Sequence, residues 1–119
     1  MNLRVDLPAA VAAQRPLIAC NDLGHVYDSG RGRTVALRNV SLTIAPGEFV
    51  CVLGPSGCGK TTLLNILAGF VAPSHGEVLV NDHRIAGPSS ERGVVFQDYS
   101  LFPWLTAQAN VEFGLRMEG

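Results

Sequence analysis

The sequence predicts an α/β fold with a mixed central sheet and an N-terminal antiparallel β subdomain, and three observations carry the prediction. First, Phe49-Val50-Cys51-Val52-Leu53 is an apolar run of strand length. It leads through a glycine-rich loop into Thr62-Leu63-Leu64-Asn65-Ile66-Leu67-Ala68, a short helical stretch closed by Gly69. Second, Val94-Val95-Phe96-Gln97 is nearly continuous in apolar residues, as is 49–53, and both suit strands covered on two faces. Third, Val40-Ser41-Leu42-Thr43-Ile44 alternates apolar and hydroxyl residues, which is the pattern of a half-buried strand.

The remaining elements follow from local chemistry. Residues 1–16, rich in Ala and Pro, are expected to form a loose lead-in, with the domain proper spanning 17–119. Leu17-Ile18-Ala19-Cys20 opens the ordered part as a strand and leads through Leu23 and Val26 to Tyr27. Asp28-Ser29-Gly30-Arg31-Gly32-Arg33 is a polar, glycine-rich turn before Val35-Ala36-Leu37. Ala45-Pro46-Gly47-Glu48 is a turn signal. Past the first helix, Glu77-Val78-Leu79-Val80 and Arg84-Ile85 form a hairpin about Asn81-Asp82-His83. Leu101-Phe102-Pro103-Trp104-Leu105 is an unusually apolar loop, and Thr106 caps a final helix containing Asn110, Val111, Phe113 and Leu115.

Composition sets outer limits. The 119 residues suffice for one domain, and 47% hydrophobic with 16% charged content excludes a disordered chain. So low a charge content suits a protein with apolar surface covered by a partner. A net charge of −1 argues against a nucleic-acid binder. No apolar run approaches membrane-spanning length, and no secretory signal pattern opens the chain. The three cysteines, Cys20, Cys51 and Cys58, form no C-x-x-C pair, and His25, His75 and His83 stand at no zinc-ligand spacing. An odd, sparse cysteine count suits a reducing cytoplasm.

The chemistry concentrates in Gly54-Pro55-Ser56-Gly57-Cys58-Gly59-Lys60-Thr61, which matches the phosphate-loop pattern G-x-x-x-x-G-K-[ST] at every fixed position. A triphosphate is a dense anion that needs donors able to approach without crowding. Gly54, Gly57 and Gly59 permit the tight turn, and successive N–H groups then face inward as an anion nest. The helix that begins near Lys60 adds the positive end of its dipole. In this pattern Lys60 would reach the β- and γ-phosphates and Thr61 would sit on Mg²⁺, and Thr62 could donate to a neighbouring phosphate oxygen. Lys60 is also the only lysine in the chain. The bland alternative is a chance glycine turn before a core helix, and the strand-loop-helix context weighs against it.

Taken together, these residues resemble the first half of the ATP-binding domain of an ABC transporter, a P-loop NTPase. The resemblance runs from about Leu17 to Met117. Tyr27, then Val35-Ala36-Leu37-Arg38-Asn39-Val40-Ser41-Leu42, then Gly47-Glu48-Phe49, precede the loop. Thr61-Thr62-Leu63-Leu64, Ala68-Gly69, Gly76-Glu77-Val78 and the glutamine-loop pattern Val95-Phe96-Gln97 follow it. Leu101-Phe102-Pro103-Trp104-Leu105-Thr106 with Asn110-Val111 is similar to importer ATPases of the nitrate, sulfonate and taurine group.

The resemblance implies specific roles. Tyr27 would stack on adenine, the alternative being a tyrosine that anchors a strand end. Gln97 would contact Mg²⁺ or the attacking water; an amide both donates and accepts there without adding charge. The loop with Phe102 and Trp104 would help receive a cytoplasmic helix of a transmembrane permease subunit, or else form a satellite core under the last helix. Implied cofactors are ATP and Mg²⁺. Implied partners are the permease and a second ATP-binding subunit, with the protein peripheral on the cytoplasmic face of the cell membrane.

The family's signature loop, its strand ending in Asp-Glu and its switch His do not occur within these 119 residues. Asp98 follows an apolar run, but the intervening Gln97 argues against it as the metal-binding acid. The expectation is therefore an amino-terminal part of the domain with doubtful turnover of its own. Two other classes are another P-loop enzyme and a non-catalytic nucleotide-binding module. A GTPase needs a guanine-reading N-K-x-D or T-K-x-D, which a chain with a single lysine in its phosphate loop cannot contain. A nucleotide kinase needs an Arg-rich lid, and only Arg116 follows Gln97.

Overall fold

A computed structural model describes residues 15–119. Of the expected loose lead-in, residues 1–14 lie outside the described part. Arg15 forms an ion pair with Asp82.

Two long strands, β1 (Ile18–Asp28) and β2 (Arg33–Ile44), pair antiparallel from Ile18 opposite Ile44 to Asp28 opposite Arg33. The turn between them closes with Ser29 N–H donating to Gly32 O, and Gly30 N–H donates to the Asp28 carboxylate. β3 (His75–Val80) pairs with the other edge of β1, and a short β4 (His83–Arg84) completes a sheet of order β2-β1-β3-β4. Asn81 and Asp82 both take positive φ, as a two-residue hairpin turn requires. Helix α1 (Lys60–Ala68) lays Leu63 and Ile66 against Cys20, Leu23, Leu37, Val40, Leu42 and Val78 of the sheet. Helix α2 (Ala107–Glu118) starts at Thr106, whose hydroxyl accepts from Ala109 N–H, and buries no residue.

The β1–β2 pair is irregular. Its register shifts between Cys20 and Leu23, between Leu23 and His25, and between His25 and Val26. Asp22 and Asn39 take φ of 46° and 49°, and each extra residue turns the next side chain back to the same face. Leu37 and Val40 are both buried for this reason, though simple alternation would separate them. The bulges also let Val35-Ala36-Leu37 and 40–44 run on as one strand.

Two expected strands are not formed. Residues 49–53 and 94–97 are irregular, so the sheet among the described residues is wholly antiparallel, with no mixed centre. The α/β character stands, but the placement of those two runs is corrected. An extended run becomes a strand only when a neighbour accepts and donates its ladder hydrogen bonds. Among the described residues no strand pairs with either run. Phe49, Leu53 and Val95 are consequently 90%, 88% and 98% exposed, while Val52 alone of the first run packs on the core.

Candidate functional site: the phosphate loop

Residues 54–59 turn from the end of the irregular segment into α1. Gly59 is the N-cap with φ 103°, and a Cβ there would stand 2.5 Å from Ala36 O and 2.9 Å from Leu37 Cδ2. Only glycine lets the loop seat so closely against β2. The first helical hydrogen bond, Leu63 N–H to Gly59 O, is 3.0 Å, and Cys58 N–H donates to Pro55 O at 3.3 Å across the loop.

The amino end of α1 carries no side-chain cap, and no acidic residue stands in its first turn. Its leading N–H groups and the positive end of its dipole therefore face outward from the loop. Lys60 curls back over this end. Its Nζ donates to Gly54 O and to Pro55 O (2.9 Å for the latter) and lies 3.6 Å from Cys58 Sγ. Carbonyl dipoles thus hold the ammonium at the mouth of the loop, where a phosphate oxygen would be a stronger acceptor. Thr61 is exposed, as a hydroxyl that reaches solvent-borne Mg²⁺ must be. The donor set, backbone amides with one ammonium and a hydroxyl, is the chemistry a magnesium-bound triphosphate requires.

Thr62 differs from its neighbours. It is buried, and its Oγ1 lies 3.1 Å from the Tyr27 hydroxyl. Tyr27 itself is half-exposed at the end of β1, with its ring edge-on to buried His25 at 4.5 Å. His25 Nδ1 in turn meets Ser74 Oγ at 3.3 Å, and that hydroxyl accepts from Val26 N–H. The structure thus places the Tyr27 hydroxyl against α1, a contact that the sequence did not point to. No sequence signal pointed to His25 or Ser74, since their convergence depends on the bulges of β1.

Gln97 is exposed in the irregular segment after Gly93, and no hydrogen bond joins it to the loop among the described residues. Phe102, Trp104 and Phe113 cluster, with ring centroids 5.2 and 4.5 Å from Phe102. Asn110 ties the turn below them. Its Oδ1 accepts from Phe102 N–H at 2.8 Å, and its Nδ2 donates to the carbonyls of Phe102, Leu105 and Thr106. In the sequence Asn110 reads as part of the final helix and of the importer-like wording, with no task of its own.

The phosphate-loop sequence pattern, seated against β2 by Gly59 and leading into an uncapped helix, marks a protein of the P-loop class, although the run before it is not a strand. The comparisons narrow this class. The ABC transporter family model matches residues 37–118, and the chain belongs to that family. It is 51% identical over 98 residues to the nitrate import ATP-binding protein NrtD of Synechocystis sp., a match covering 82% of this chain and 37% of that one. It is 56% identical over 94 residues to the taurine import ATP-binding protein TauB of Burkholderia pseudomallei, covering 79% of this chain and 36% of the relative. Among solved structures, the ATP-binding cassette MJ0796, dimeric and bound to ADP and Pi, superposes with TM-score 0.74 at 35% identity, over 86% of this chain and 48% of that one. The chain thus spans little more than a third of the length of these curated relatives. Among the described residues no helix is long and apolar enough to cross a membrane.

Proposed function

We propose that this chain carries the nucleotide-binding half of an importer ATPase domain and holds Mg·ATP on residues 54–62. The uncapped start of α1, with Lys60 poised over it, is the observation that carries the proposal. Gly54, Pro55, Ser56, Gly57, Cys58 and Gly59 supply the backbone cradle, Lys60 the counter-charge on the outer phosphates, and Thr61 a ligand to the metal. Bound Mg²⁺ would neutralise charge between the β- and γ-phosphates. Gln97 would join the metal or orient water once the segment that bears it is drawn toward the loop. Tyr27 would offer its ring face to adenine.

In the complete domain these groups would serve ATP hydrolysis that drives import, with nitrate-, sulfonate- or taurine-type solutes as cargo. Names of the relatives support that substrate class, and the dimeric cassette supports a second ATP-binding subunit. The face with Phe102 and Trp104 would meet a permease subunit at the cytoplasmic side of the membrane. Because the water-orienting acid is not among these residues, the 119-residue chain should bind nucleotide weakly and turn it over poorly.

Calorimetric titration with Mg·ATP tests the site. The wild-type chain should bind, and Lys60→Ala should weaken binding roughly 10- to 100-fold, the worth of a charge-assisted hydrogen bond. Equal affinity in the two proteins would remove the loop as the nucleotide site, and phosphate release at rates typical of complete cassettes would refute the account of turnover.

A further inference from the structure

The Tyr27–Thr62 contact joins two parts of the molecule that have separate tasks. Tyr27 is the last residue but one of β1, whereas Thr62 belongs to the first turn of α1, 35 positions further along the chain. A phenol is a good donor, and a threonine hydroxyl has two acceptor lone pairs and one proton of its own. If Tyr27 donates, Thr62 keeps its proton for a further acceptor and becomes the better donor by polarisation. The phenol is itself held in place. The edge contact with buried His25 fixes the ring, and Ser74 fixes His25 and the Val26 amide together. Stacking on a base would need only the ring face, so a built-in anchor for the hydroxyl points to a second task.

We infer that Tyr27 is a positioning residue for the phosphate site: its hydroxyl, through Thr62, sets the first turn of α1 against the sheet and orients the Thr62 hydroxyl. The inference rests on the proposal that residues 54–62 hold a triphosphate. Its consequence is that phosphate binding depends on the Tyr27 hydroxyl even when the ligand has no base.

Inorganic tripolyphosphate with Mg²⁺ supplies such a ligand, and Mg·ATP supplies the comparison. Tyr27→Phe keeps the ring and removes only the hydroxyl. It should weaken tripolyphosphate and ATP by the same factor, roughly three- to tenfold, which is the worth of one partly buried hydrogen bond. Thr62→Val should weaken both at least as much, the double variant should be no weaker than Thr62→Val alone, and Thr62→Ser should retain wild-type binding. Tripolyphosphate affinity unchanged by Tyr27→Phe would overturn the inference, as would fully additive effects of Tyr27→Phe and Thr62→Val. Failure of the wild-type chain to bind either ligand would overturn the phosphate site and this inference with it, and is told apart because it shows without any substitution. Should Tyr27→Phe fail to fold, the Thr62→Val and Thr62→Ser pair decides, with equal tripolyphosphate binding by the two counting against the assignment.

Discussion

Cys20 shows how burial alone changes the chemistry of one side chain. It sits in the core between β1 and the first helix, almost wholly out of water, and burial pushes its thiol from 9.0 up to about 11. Between those values the folded chain keeps a proton that the unfolded chain releases. Stability contributed by the buried neutral thiol is thus intact below pH 9 and is lost as pH rises toward 11. We expect melting temperature to fall across that window, and Cys20→Ala to flatten the fall while lowering stability at neutral pH by leaving a small cavity. Thermal melts of the two proteins from pH 7 to 11 provide the check; parallel curves would mean that other groups set the alkaline limit. Residues of this kind differ in how legible they are. Lys60 and the loop glycines are legible because a local spacing pattern contains them, whereas the Tyr27–Thr62 contact rests on the register of β1, which shifts just before Val26.

At the scale of elements, legibility followed the range of the interactions. The turns at 28–33 and 81–82 and the caps at Gly69 and Thr106 were readable because a few adjacent residues decide them. Gly69 takes φ 86°, and the Phe70 amide closes on Asn65 O behind it, as a glycine-terminated helix does. The runs at 49–53 and 94–97 misled because apolar composition records a preference for burial, not the presence of a hydrogen-bonding neighbour. The turn before α2 lies between these cases. The side chain of Asn110 both donates and accepts, so it serves the Phe102 peptide on both sides and closes the turn that bears Trp104. Asp would keep the acceptor and lose every donor. Since Trp104 is the only tryptophan, its fluorescence reports on this turn alone. We expect Asn110→Ala and Asn110→Asp each to lower Trp104 anisotropy and shift its emission, while Thr106→Ala, which removes only the helix cap, costs about 1 kcal/mol with a smaller optical change. Identical spectra for wild type and Asn110→Ala would show that the aromatic cluster of Phe102, Trp104 and Phe113 holds the turn unaided.

For the whole molecule, the sheet and α1 form a small, closed core, and the rest of the apolar surface lies outside it. Phe49, Leu53, Val95, Tyr99 and Trp104 are all exposed, and both unpaired runs carry backbone N–H and C=O groups with no ladder partner among the described residues. Large apolar side chains beside unpaired extended backbone form a template for association. The chain covers only 35–38% of its curated importer relatives, so these runs have counterparts there in a longer polypeptide. We expect the 119-residue chain to self-associate at about 10–100 μM, with the sedimentation coefficient rising with concentration, and to bind an apolar dye strongly. Val95→Lys and Phe49→Lys place charge on the two runs without touching the core cluster, so together they should restore a monomer and reduce dye binding at little cost to melting temperature. Wild-type chain that sediments as a monomer throughout would overturn this expectation, as would self-association that the double substitution leaves unchanged, since the contact between chains would then lie elsewhere.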